Sequence, residues 1–362
     1  MTIRRDDPCG PGRFVPPVRS IQRRTELPGP QSRAILARHA AVSGHGADHT
    51  FALPMVIAHA HGARVTDVDN NVFLDFSGGG LGAEIGYTQE EAISAAQSQL
   101  EVTDGLPAHG AICAVQVQLA ELLATLAPPL NGPTATLLFG QLQSARRFLR
   151  TIDANWHVYR PLQPSLASSL DQSARLHLSD ETEIGLGRTG RFFAAEHLVS
   201  TGLTMPDALL YGGRELPLVA LTLRTDLLTP AVRNRAGRLP DLSPLACVRA
   251  LEALRIMQDE RLVARAVQIA TIIRDRISTW AQQYSVVERI ESEGALLAVR
   301  CRTRRNAKRL IAAGMEAGVL LRRLPYAPEV IPLCYALMTP EEQLYEGLSA
   351  IEEALEALND TD

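Results

Sequence analysis

Residues 206–220 read Pro-Asp-Ala-Leu-Leu-Tyr-Gly-Gly-Arg-Glu-Leu-Pro-Leu-Val-Ala, a short apolar run, a glycine-rich turn and a second apolar run that continues to Leu223. Apolar runs of this length bounded by turn residues read as buried strands, so the chain must provide a sheet interior to hold them. Helical spacing elsewhere supplies the cover. It runs over Glu90–Val102 and over Ala114–Leu126, where Val117, Leu119, Leu122, Leu123 and Leu126 are apolar. A long helical region opens at Ser243-Pro244, with Ser243 as N-cap and Pro244 at the first helical position. Thr339-Pro340-Glu341-Glu342 reads as a capping box, followed by an apolar face of Leu344, Leu348, Ile351, Leu355 and Leu358.

Arg64-Val65-Thr66-Asp67-Val68 and Val72-Phe73-Leu74-Asp75-Phe76 alternate apolar and polar around Asp69-Asn70-Asn71, the pattern of a β-hairpin. Just before it, His59 and His61 alternate along a predicted strand and share a face; without a third ligand they are read as solvent-facing rather than as a metal site. Residues 286–290 and 295–300 form two strands around Glu293-Gly294, and 306–317 a helix. Up to about residue 27, Pro8, Pro11, Pro16 and Pro17 prevent regular helix, so a loose arm is expected.

The net charge of −4 gives no long-range attraction for nucleic acid or anionic membrane. The arginine groups at 146–150, 302–305 and 322–323 are read as solvated faces. Five scattered cysteines without a CxxC pair fit a reducing cytoplasm, and no apolar run reaches membrane-spanning length.

Several stretches share one resemblance. They are Gly62-Ala63-Arg64 through Phe76, the glycine loop Ser77-Gly78-Gly79-Gly80-Leu81-Gly82, Asp180-Glu181-Thr182-Glu183-Ile184-Gly185-Leu186-Gly187-Arg188-Thr189-Gly190, residues 206–220, and Ser243-Pro244-Leu245-Ala246-Cys247. Together they resemble the class III aminotransferases, the pyridoxal phosphate (PLP) enzymes that include ornithine and 4-aminobutyrate aminotransferases. The resemblance spans residues 27–126 and 177–358 and lapses between Pro128 and His177, where several tens of residues of the family pattern are missing. It implies an α/β chain of PLP-transferase fold type I, with a truncated mixed-sheet large domain and an α+β small domain. Residues 1–26 would be a flexible N-terminal arm, 27–100 the N-terminal segment of the small domain, 101–243 the reduced large domain, and 244–362 the connecting helix and C-terminal small domain. A homodimer acting on a small organic substrate is implied with it. Gly185-x-Gly187-x-x-Gly190 also satisfies a dinucleotide fingerprint, but it lies mid-chain without an acidic residue after a second strand.

In the family, the segment matching 206–220 carries the lysine that holds PLP as an imine. No lysine lies between Pro206 and Ala220; the single lysine of the chain is Lys308. Arginine does not replace it, because its guanidinium stays protonated. The family's phosphate-binding serine and aromatic-His-Gly segment are unmatched as well, and Leu239 stands where its cross-subunit threonine would be. Since each charge-assisted hydrogen bond contributes roughly 1.5–3 kcal/mol, the expectation is that no cofactor is held and PLP binding is lost. The expected function is a repurposed, PLP-independent enzyme of specialised metabolism, catalysing cyclisation, isomerisation, elimination or condensation. A pseudoenzyme that stabilises a partner enzyme, or a non-covalent binder of PLP or its amine form PMP, are the alternatives.

The resemblance also nominates residues. Asp180 matches the aspartate that contacts the pyridine nitrogen. Glu183 replaces a neutral glutamine near the ring and would act as acid or base beside Asp180, unless it pairs with Arg188 or Arg191. Tyr211 and Arg214 lie in the shortened turn, as proton donor and anion clamp. Gly79, Gly80, Glu84 and Tyr87 lie on the substrate side.

Overall fold

The computed structural model describes residues 20–43, 53–78, 84–103, 105, 112–153, 155–163, 176–200, 202–212, 218–236 and 242–359. The chain runs through α1 (Pro30–Ser43), β1 (Ile57–His61), β2 (Arg64–Asp67), β3 (Val72–Asp75), α2 (Glu90–Val102) and α3 (Ala114–Leu126). It continues with β4 (Thr134–Phe139), α4 (Leu142–Ile152), β5 (Trp156–Tyr159), β6 (Leu176–Asp180), α5 (Glu196–Ser200), β7 (Ala208–Gly212), β8 (Val219–Arg224) and α6 (Pro230–Ala236). Then follow α7 (Pro244–Asp259), α8 (Leu262–Ile277), α9 (Trp280–Gln283), β9 (Val287–Glu293), β10 (Leu296–Cys301), α10 (Arg304–Ala317), β11 (Val319–Leu320), β12 (Val330–Pro332) and α11 (Glu341–Asn359).

The central sheet has the order β4-β8-β7-β6-β5. β5, β6 and β7 are parallel, and β8 and β4 pair antiparallel beyond them. β7 is buried along its whole length, as its unbroken apolar run predicts. Ala208, Leu210, Leu221 and Leu223 pack on one face with Phe139, Phe148 and Leu149 of β4 and α4. Leu209, Tyr211, Leu218 and Ala220 belong to the larger core, which takes in Leu119, Leu123 and Leu254 of α3 and α7. Between residues 128 and 177, where the family pattern lapses, the described chain builds only β4, α4 and β5. Because β5, β6 and β7 share one direction, Arg160, Asp180 and Gly212 all lie at one end of the sheet. Crevices beyond the carboxyl ends of parallel strands are where open α/β sheets take ligands.

The hairpin forms as read. Arg64 opposes Leu74, Val65 opposes Phe73 and Thr66 opposes Val72; the Asp67 carboxylate closes the turn by accepting from the Asp69 and Asn71 amides at 2.9 and 2.8 Å. β1 and β11 complete that sheet, and β12-β10-β9 form a third. The expected loose arm is only partly open to description. Residues 1–19 lie outside the described residues, whereas Ser20 and Ile21 donate their amides to the Glu346 carboxylate and Gln22 exchanges backbone bonds with Val72. Thr339 does not form the expected capping box: its hydroxyl turns back to the Ala336 carbonyl at 2.6 Å. His59 and His61 lie on the exposed face of β1, and no cluster of three metal-ligating side chains occurs among the described residues. No helix among them is long and apolar enough to cross a membrane.

Candidate functional site

β6 delivers Asp180, Glu181, Thr182 and Glu183 to the carboxyl end of the sheet, and the three carboxylates meet different surroundings. Asp180 is only 4% exposed. Its Oδ2 lies 3.2 Å from Arg146 Nη2 of α4 and 3.7 Å from Arg160 Nε just after β5, and Thr182 Oγ1 donates to its Oδ1 at 2.7 Å. Glu181 points inward. It is fully buried and accepts from the Ala194 amide (2.7 Å), the Ala195 amide (2.9 Å) and Ser179 Oγ (2.8 Å). Burial outweighs these donors and pushes its carboxyl up to about 7.

Glu183 is ion-paired, but to neither Arg188 nor Arg191. Arg322 Nη1 donates to its Oε2 at 2.9 Å and Arg322 Nη2 to its backbone carbonyl, while Arg322 Nε reaches the Ser77 carbonyl at 2.6 Å. Arg188 instead donates to the Ile184 and Tyr335 carbonyls. From Ser77 the polar contacts continue. Its amide and hydroxyl donate to Asp75 Oδ1, and Tyr87 OH donates to Asp75 Oδ2 at 2.7 Å. Tyr326 completes the group, with its ring 5.6 Å from the Arg160 guanidinium and its hydroxyl donating to the Pro161 carbonyl. Burial, then the charges of Glu183 and Asp180, raise its phenol above the usual range, so it stays protonated at all ordinary pH.

Asp180 is thus joined to Arg146, Arg160 and Thr182 in one group of polar contacts, and Glu183 and Tyr87 are joined in a second through Arg322, Ser77 and Asp75. Other nominated residues belong to neither. Glu84 is fully buried; its carboxylate accepts the Leu186 amide at 2.9 Å and its carbonyl the Leu337 amide, which fastens three distant stretches together. Tyr211 does not project into a cleft. It lies in the core, edge-on to Phe193, with its hydroxyl 2.9 Å from Thr222 Oγ1, because β7 is covered on both faces. Gly79, Gly80 and Arg214 lie outside the described residues. Arg146, Arg160, Arg322, Tyr326 and Asp75 are not among the residues the sequence nominates; reading Arg322 as a solvated face is corrected by its burial against Glu183, whereas Arg146 is exposed as read and also reaches Asp180. The glycine fingerprint serves packing. At φ 79°, Gly187 fits where a Cβ would stand 2.8 Å from Met257 Cε of α7, and only the five-residue α5 follows.

Comparison with known proteins decides the family. The family model "Aminotransferase class-III" matches residues 163–355, more than half of the chain. The chain belongs to the class III aminotransferase family. A probable 4-aminobutyrate aminotransferase of Bacillus subtilis is 30% identical over 202 residues, 53% of this chain but 46% of that protein. The 4-aminobutyrate aminotransferase of Mycobacterium bovis is 24% identical over 441 aligned positions, covering 90% of this chain and 96% of that one. An alignment of that length against nine-tenths of 362 residues requires gaps of more than a hundred positions in total on this side. Among solved structures, the ornithine aminotransferase of Toxoplasma gondii crystallised with oxidised glutathione superposes with a TM-score of 0.70 at 19% identity, over 91% of this chain and 95% of that one. The fold is therefore PLP fold type I, as the motifs implied.

Membership overturns the expectation that no cofactor is bound. PLP is the family's cofactor, and the Toxoplasma structure has PLP at partial occupancy in its active site. The expectation weighed only the covalent tether and the family's phosphate hydroxyls. It left out ion pairs and hydrogen bonds from other side chains as a way to hold an anionic ring.

Proposed function

We propose that this chain holds PLP or PMP by non-covalent contacts at the carboxyl end of β6, and acts there on a small organic substrate by a reaction other than lysine-dependent transamination. The observation that carries this reading is the place of the only lysine: Lys308 is exposed on α10, while the carboxylates at the end of β6 are met by arginines. The side chains at hand suit the ligand. Asp180, buried and flanked by positive charge, is an acceptor for a ring N–H; Arg146 and Arg160 beside it are guanidinium donors for a phosphate. When bound, the pyridine ring supplies an electron sink for bonds breaking next to it. The chain's own groups bind and orient. Asp180 would hold the proton of the ring nitrogen, while Arg322 fixes Glu183 beside Ser77 and Tyr326 keeps Arg160 in place through its ring face.

Clustered ionic groups at this end of the sheet support a catalytic role over a scaffolding one, in which apolar side chains would fill the space. Cyclisation, isomerisation, elimination or condensation in specialised metabolism are the reactions we assign to it, with residues 101–243 as the reduced large domain. Titration of the protein with PMP, followed by absorbance, is expected to give saturable binding that Asp180→Asn weakens about tenfold or more. Borohydride treatment after PLP loading should leave no pyridoxyl adduct. A stoichiometric adduct on Lys308, with amino groups exchanged between acids, would overturn the reading.

Members of this family are typically homodimers, and we assign the open face of α2 and α3 to a second copy. α2 has no buried residue, and Ile93, Leu100, Val102, Ile112 and Val117 are exposed around it. A groove of about 440 Å³ lined by Ile93, Leu100, Leu245 and Ala253 runs along the line where α2 packs on α7. Ile93→Asp combined with Leu100→Asp is expected to shift the sedimentation coefficient from dimer to monomer; an unchanged dimer would place the interface elsewhere.

A further inference from the structure

We infer that the chain carries a second small-molecule site, for a phosphate-bearing anion, between the glycine turn and α8. A basin of about 500 Å³ lies there, lined by Arg191 and His197 on one side and by Thr271, Arg274 and Asp275 of α8 on the other, with Gly294 at its end. Its charge is unbalanced. Two guanidinia and an imidazole face a single carboxylate, and neither arginine makes an ion pair among the described residues. Arg276, two residues further along α8, is by contrast fully engaged by Glu352, and Arg146, Arg160 and Arg300 each meet a carboxylate.

The basin is also preformed. Arg274 Nη2 donates to the Gly294 carbonyl at 3.2 Å, which fixes the guanidinium over the turn between β9 and β10. His197 Nε2 lies 3.1 Å from the Thr189 carbonyl. Gly294 sits so close to both that a Cβ would stand 2.2 Å from the Thr189 carbonyl and 2.6 Å from the His197 ring, so the walls cannot slide past one another. Two guanidinia, that of Arg274 tied to the Gly294 carbonyl, suit a tetrahedral oxyanion, and a basin of this size takes a phosphate ester rather than a bare ion. Nothing in this site overlaps the seam around Asp180.

Calorimetric titration of the full chain at low salt, with inorganic phosphate and with glycerol 3-phosphate, tests the assignment against chloride at matched ionic strength. Saturable binding is expected, weakened roughly tenfold or more by R191Q/R274Q and changed by less than about twofold by R255Q, an exposed arginine of α7 outside both sites. Both arginines are exposed, and an unchanged melting temperature confirms that the double variant folds. A tighter ester supports a phosphorylated metabolite, and equal affinities support phosphate itself. Absence of saturable binding, or loss of binding in R255Q with R191Q/R274Q unaffected, would overturn the site.

Discussion

Glu181→Ala is expected to lower the unfolding free energy by about 4 kcal/mol, read by urea denaturation with the slope unchanged. The substitution strands two buried amides, of Ala194 and Ala195, and the Ser179 hydroxyl, all of which the carboxylate now satisfies. The same group gives stability a pH dependence. Burial raises its folded-state value to about 7 from an ordinary 4.5, so between those values the folded chain keeps a proton that the unfolded chain has released. The contribution of Glu181 is therefore most favourable below about pH 4.5, declines as pH rises towards 7, and levels off above, by on the order of 3 kcal/mol in all. Glu181→Gln should flatten that decline in melting temperature between pH 5 and 8; an unaltered decline would assign it to other groups.

Arg322→Met is the second large effect, expected to cost about 3 kcal/mol. Arg322 and Glu183 are 12% and 17% exposed, and removing the cation leaves a mostly buried carboxylate without its counter-charge, along with two carbonyls that lose a donor. Replacing both partners, with Arg322→Met and Glu183→Gln together, should recover about 2 kcal/mol of the loss. Additive losses in this cycle would show that the pair is not coupled. The seam from Glu183 to Tyr87 should loosen with it, because Arg322 is the link between Glu183 and Ser77.

Local chemistry made much of the fold legible. The Asp69-Asn70-Asn71 turn and the alternation beside it placed the hairpin, with Asn70 at φ 63°. The spacing of apolar residues gave α2 and α3 with their bounds. The motif around Asp180 pointed to one end of the sheet and placed Asp180 and Glu183 there. Their partners were not legible, because Arg322 lies 139 residues from Glu183 and Arg146 lies 34 from Asp180. An arginine in a polar stretch looks the same whether it faces water or a distant carboxylate. Tyr211 shows a different loss of information: in a strand covered on both faces no alternation marks which side chain faces a pocket, and its partner Thr222 sits on the neighbouring strand. The loss of the cofactor was inferred from the absent lysine and the unmatched phosphate-binding residues, and the family comparison corrected it.

α2 packs on α7 of its own chain through the half-buried Ala92, Ala95 and Ala96, but none of its side chains is fully buried and Ile93, Leu100 and Val102 stay exposed. On the dimer reading, the cover over that outward face comes from the neighbouring molecule and follows mass action. Dilution would then expose that face without unfolding the chain that carries it.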